Sequence, residues 1–222
     1  SKQPGNVPSS EEITSPASHC GDGRAGWHEK VVRMSGELPG GADSVRVHVT
    51  STINSAAHDE AWGIRQVRVF VGTSPPPSPP TPPTPPPPAF PPRIPSRMPQ
   101  APPPPPSPPS PPLPPPPPPP LMPGFTLAAA DVFPSAEAAL SWSSNAQLTV
   151  TTCGTLGSML GGFNVFGSGA YAEKTFNLSS APAHGQVRVE VEFVAIDSWD
   201  AGEMAQLFLD GQMVWSKQPG NV

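Results

Sequence analysis

The chain is short of charge, and it lacks long apolar runs, metal-spaced histidines and helical periodicity. Lys, Arg, Asp and Glu make up 13% of its 222 residues and the net charge is −5, so there is no basic face for nucleic acid. Its apolar runs fall far below the ~20 residues that a membrane-spanning helix needs. No signal peptide is visible, and a fragment cut from inside a longer repeat would not show one. The five histidines, His19, His28, His48, His58 and His184, are scattered without metal-ligand spacing. Gly154 to Gly169 is glycine-rich but has no Gly-Lys-Ser/Thr ending, which excludes a P-loop, and there is no Gly-x-Ser-x-Gly. Only Ala128 to Ala130 and Ala136 to Leu140 read as helical, one short turn each.

Proline is what the chain has instead. From Ser74 to Pro123 there are 50 residues, of which 32 are proline. Each proline fixes φ and removes a backbone donor, so neither helix nor sheet can form there. Polyproline II remains, rising about 3.1 Å per residue, which gives a rod of about 155 Å if straight. The other reading is a disordered proline-rich spacer. Ser78, Thr81, Thr84, Ser107 and Ser110 lie in Ser-Pro and Thr-Pro clusters that suit O-glycosylation.

The two ends of the chain carry the same heptapeptide: Ser1-Lys2-Gln3-Pro4-Gly5-Asn6-Val7 and Ser216-Lys217-Gln218-Pro219-Gly220-Asn221-Val222. Seven identical residues in a row imply a tandem repeat with a 215-residue period. On that reading 125–222 is the N-terminal half of a globular repeat, 1–73 is the C-terminal half, and 74–124 is the rod. Each half would be completed across the 216–222/1–7 join, giving a domain of 164 residues. The literal reading, two modules flanking a rod, leaves the shorter one with a marginal core.

Within the globular parts the signals are those of short strands. Val45, Val47 and Val49 alternate with polar residues, Val67, Val69 and Val71 do the same, and so do Val187, Val189, Val191 and Phe193. Further short strands are read at Trp27 to Met34, Phe125 to Leu127 and Gln147 to Val150, with a turn over Glu37 to Gly41. Gln206 to Leu209, Asp210-Gly211 and Gln212 to Trp215 form a hairpin around a type I′ pair. The expected fold is mainly β: an antiparallel, jelly-roll-like β-sandwich joined to a polyproline II rod.

Two acidic-aromatic stretches, His58 to Ile64 and Ile196 to Glu203, read as loops. Closely spaced carboxylates with loop carbonyls suit Ca²⁺, and they equally suit turn capping. A glycosidase acid and nucleophile drawn from Asp197, Asp200 and Glu203 is a further reading. Trp62 and Trp199 are candidates for stacking on sugar rings, or else packing anchors. Cys20 and Cys153 suit one disulfide in a secreted chain, or two buried thiols. Asn177-Leu178-Ser179 is an N-glycosylation sequon. Together these signals point outside the cell.

Thr152-Cys153-Gly154, Leu160 to Gly167, Ile196 to Asp200, Val49 to Thr52 and Asp59 to Ile64 resemble a repeated extracellular β-sandwich module of algal and protist surface proteins. The proline-rich segment resembles the hydroxyproline-rich glycoproteins of green algae, such as pherophorins and mastigoneme proteins. The resemblance implies hydroxylated, arabinose- and galactose-bearing prolines, with Pro102, Pro103, Pro104, Pro115, Pro116 and Pro117 as candidates. It also implies bound Ca²⁺ at Asp197, Asp200, Glu203, Asp59 and Glu60. The function expected is that of a non-enzymatic structural subunit, self-associating into a helical filament of an extracellular fibril. A sugar-binding adhesin and, behind it, a glycoside hydrolase are the alternatives.

Overall fold

Alternation of apolar and polar side chains drives this chain into strands, because a half-buried strand presents every second residue to the core. A computed structural model describes residues 12–14 as backbone, Cys20, residues 29–72 and residues 124–219. The strands are β1 Glu12–Thr14, β2 Lys30–Pro39, β3 Ser44–Ser51, β4 Glu60–Gly72, β5 Phe125–Val132, β6 Val150–Cys153, β7 Gly157–Gly161, β8 Tyr171–Asn177, β9 Gln186–Asp197, β10 Ala205–Leu209 and β11 Gln212–Lys217. The pairings among them are antiparallel, and they make two sheets. The larger runs β1-β2-β9-β4-β7-β6, with β5 also paired to β4; the smaller runs β11-β10-β3-β8.

One apolar cluster draws on both sheets. Val45, Val47 and Val49 of β3 and Leu207 and Leu209 of β10 share it with Trp62, Val67, Val69 and Val71 of β4 and Val187, Val189, Val191 and Phe193 of β9. A second, smaller cluster gathers Val31, Ala61, Cys153, Met159, Val194 and Ile196. These alternate in β4 and β9 with residues of the first cluster, so they lie on the opposite face of the larger sheet. Farther along that face β9 is polar. Arg188 meets Glu190 at 3.0 Å and Glu37 at 3.3 Å, and Glu192 lies 3.6 Å from Arg33 and 3.8 Å from Arg68.

Several local expectations are corrected. Glu60 to Ile64 is not loop but the first part of β4, and Ile196 and Asp197 end β9. Ala128 to Ala130 belong to strand β5 rather than a helical turn, because this segment pairs with Arg68 and Val69. The glycine-rich stretch contains a 3-10 turn at Gly154–Leu156 and strand β7. The helix at Ala136–Ala139 is present, and the hairpin turns as expected through Asp210 (φ 50°) and Gly211 (φ 83°).

Two units are distinguished, Ser1–Ser74 with Gly124–Val222, and Pro75–Pro123. The expected polyproline rod and its glycosylation sites, from Ser78 to Pro117, lie outside the described residues. Within the first unit a single chain supplies both halves: β4 pairs with β5, β7 and β9, β3 with β8 and β10, and β2 with β9. The two halves pair with each other within one chain, whereas the sequence reading placed each half's complement in the adjoining repeat. The alternative of two independent modules does not hold, because residues 29–72 and 124–219 build the same core.

Candidate functional site

Glu60, Asp197 and Glu203, singled out by sequence, lie at one end of the two sheets, where strands from the two halves meet. Glu60 opens β4 and stands opposite Asp197, the last residue of β9. Glu203 lies just before β10. Glu60, Asp197 and Glu203 are 3%, 1% and 4% exposed, although carboxylates are almost never buried without partners.

Backbone donors hold the two glutamates. Asn54 N–H donates to Glu203 Oε1 at 3.1 Å and Asp200 N–H donates to Oε2 at 2.6 Å, while Ser55 N–H donates to Glu60 Oε2 at 3.2 Å. The loops on both sides of the seam, 52–59 and 198–204, are thus tied to two side chains. Burial lifts the Glu60 pKa above the ordinary carboxylate value. The Glu203 charge and a side-chain hydrogen bond with Glu203 add to the rise, and the Ser55 hydrogen bonds oppose it.

This arrangement does not fit the Ca²⁺ that the resemblance implies. Ca²⁺ takes six to eight oxygens, whereas Glu60 and Glu203 accept from backbone N–H groups. Among the described residues, the one group of three ligand-type atoms within 4.8 Å is Cys20, Glu29 and Cys153. Its sulfurs are joined to each other, and Glu29 Oε1 accepts from Cys20 N–H at 2.8 Å. Asp59 is only half-buried and Asp200 is exposed. The acidic residues brace turns.

The two tryptophans are core, so their expected role as sugar platforms is not what the fold provides. Trp62 stacks on Phe193 (centroids 5.3 Å) and tilts onto Phe166 (4.7 Å). Trp199 meets Phe193 edge-on at 5.7 Å, and its Nε1–H donates to the Ala61 carbonyl at 3.2 Å. Both are buried, with no ring face open to a ligand. Asn177 is exposed at the end of β8, where its Oδ1 accepts from Ser179 N–H at 2.9 Å.

The repeated heptapeptide stands out in the sequence, but what it touches does not. Ser216 and Lys217 finish β11, paired with Gln206 and Ala205. Gln218 then clamps the acidic loop: its Oε1 accepts from Gly202 N–H and its Nε2 donates to the Asp200 carbonyl, both at 3.3 Å. The Pro219 carbonyl accepts from Lys30 Nζ at 3.2 Å, and Lys30 is the register partner of Thr14 in β1. The end of the second half therefore sits beside the first strands of the first half. Cys20 and Cys153 join the same two halves through a disulfide, S–S 2.08 Å.

No protein family, curated protein or solved structure matches this chain.

Proposed function

We propose that this chain is a structural unit of an extracellular glycoprotein fibril. In this reading jelly-roll-like β-sandwiches alternate with glycosylated polyproline rods, as in the algal surface proteins that the sequence resembles. The observation that carries it is the heptapeptide. The same seven residues stand 215 positions apart, and the second copy leads from β11 to the Lys30 side chain, alongside β1 and β2. A tandem repeat needs that path, in which the end of one half runs on into the start of the other. The disulfide suits an oxidising compartment, and the exposed Asn177 suits glycan attachment.

The alternatives have less to rest on. An adhesin using Trp62 and Trp199 would need ring faces that the core covers. Glycosidase carboxyls flank the scissile bond about 5–9.5 Å apart, whereas of the candidate carboxyls Asp197 and Glu203 are buried and only Asp200 is exposed.

Negative-stain imaging of the native material tests the proposal. Filaments with a regular axial repeat are expected; isolated globular particles of one chain's size would rule it out.

A further inference from the structure

Sheet edges present unpaired backbone donors and acceptors, and folds blunt them by keeping them short, covered or charged. Most edges here are treated that way. β1 has three residues and β6 four. Along β8, Ser143 and Glu173 exchange backbone hydrogen bonds at 2.8 and 2.9 Å, and Asn145 Oδ1 accepts from Tyr171 N–H at 3.1 Å. β11 lays Val214 over Gly36 of β2 and ends in Lys217.

β5 is the exception. It runs for eight residues, Phe125–Val132, and among the described strands it pairs with β4 alone. It contains no lysine, arginine, glutamate or proline. Its single charge, Asp131, is already engaged: Lys174 Nζ and Trp142 Nε1 donate to Oδ2 at 2.7 and 2.8 Å. The register on β4 sorts the side chains by face. Thr126, Ala129 and Asp131 stand opposite Val71, Val69 and Val67, which face the core. Phe125, Leu127, Ala130 and Val132 stand opposite Gly72, Phe70, Arg68 and Gln66, and so share the outer face. Leu127 and Val132 are 52% and 53% exposed there. An apolar strip thus runs beside a bare edge.

The order of residues along β5 fits a copy of itself. Ala128 is the extra residue of a bulge, since Phe70 pairs with Leu127 and Val69 with Ala129. A second β5 running antiparallel, with its Ala129 opposite the first, sets Phe125 against Val132, Leu127 against Ala130 and Thr126 against Asp131. Every outer-face residue then meets an outer-face residue, and no charge meets its like. A slip by one residue would turn the apolar strip of one strand toward the wrong face of the other.

We propose that β5 is a self-docking edge: a second copy of this chain adds its own β5 antiparallel and joins the two larger sheets into one. Main-chain hydrogen bonds supply the attachment, and the Phe125–Val132 and Leu127–Ala130 pairs set the register. The contact is isologous and closes on itself as a pair. It therefore neither builds the fibril proposed above nor needs it.

Sedimentation of the full chain over a dilution series at low ionic strength tests the proposal. The parent should reach about twice the mass of one chain as concentration rises. Leu127→Glu with Ala130→Glu places like charges opposite each other in the proposed register and should leave single chains. Leu127→Lys with Ala130→Glu places opposite charges there and should restore the pair. Circular dichroism checks that both variants keep their sheets. A parent that stays single at every concentration would overturn the proposal. So would a pair that survives the two glutamates, since it must use another surface, or one that the Lys/Glu variant fails to restore, since the register is then wrong. Hydrogen exchange of the parent reads the edge without any substitution. β5 amides should exchange severalfold more slowly in concentrated than in dilute protein, and equal rates would also sink the idea.

Discussion

Glu60 titrates next to another carboxyl in a place almost closed to water. Its pKa is raised in the fold, so folding favours the protonated form. Its contribution is present in full below the ordinary carboxylate value of about 4.3 and is lost as pH rises through the raised value. Glu60→Gln keeps an acceptor for Ser55 N–H while removing one charge. The variant should be more stable at neutral pH and show a flatter stability profile above the ordinary carboxylate range. Urea unfolding at several pH values measures both, and a profile parallel to that of the parent would show that the pair is not the source. Trp62→Ala should cost about 3–5 kcal/mol, the range for emptying a core aromatic site. A loss below about 1 kcal/mol would contradict its burial against Phe166 and Phe193. Sequence marks both residues as special but assigns their roles by type. Carboxylates and tryptophans read as surface ligands until tertiary contacts show the core around them.

At the scale of elements, β4 shows why half of a strand is legible and half is not. Val67, Val69 and Val71 face the core from odd positions, whereas Trp62 and Ile64 face it from even ones. The register against β9 slips between Ile64 and Gln66, a bulge that inserts one residue and reverses the parity. An alternating pattern that changes phase looks like two segments, so Glu60 to Ile64 reads as loop. In β5 the signal fails differently. Only three of its residues are partly covered, and three consecutive alanines have no β preference of their own; pairing with β4 imposes the strand. The β10–β11 hairpin is legible because Asp-Gly carries its own backbone requirement. Gly211 has φ +83°, and a Cβ at this position would stand 3.3 Å from Arg46 Nη2. Gly211→Ala should therefore destabilise the fold by about 1–2 kcal/mol, read as a lower denaturation midpoint at unchanged slope. An unchanged midpoint would mean the turn relaxes freely.

For the molecule as a whole, the join is the decisive feature. The Pro219 carbonyl is within reach of Lys30, so a chain running from Gly124 to Val222 and directly on into Pro8 to Gly72 would need no long connection. Eight residue steps lead from Pro219 to Glu12 by that route, and they can span about 27 Å when extended. This permuted chain, without residues 73–123 and with one heptapeptide, should fold by itself into the same two sheets and form the Cys20–Cys153 disulfide. Circular dichroism, cooperative melting and thiol titration test it. A permuted chain that stays unfolded under oxidising conditions would mean that the join is not a continuous path.

Strand content, the core valines and the hairpin were determined by sequence alone, because each rests on local alternation or turn chemistry. Tertiary structure alone decided the burial of Trp62 and Trp199, the β4 bulge, the burial of Glu60 and Glu203 and the clamp made by Gln218. Each depends on contacts between residues well separated in the chain, sixteen or more positions apart, or on the register of a neighbouring strand. Neither leaves a mark on the local pattern, since the same side chain can cap a loop, hold an ion or line a core according to what the rest of the chain places against it.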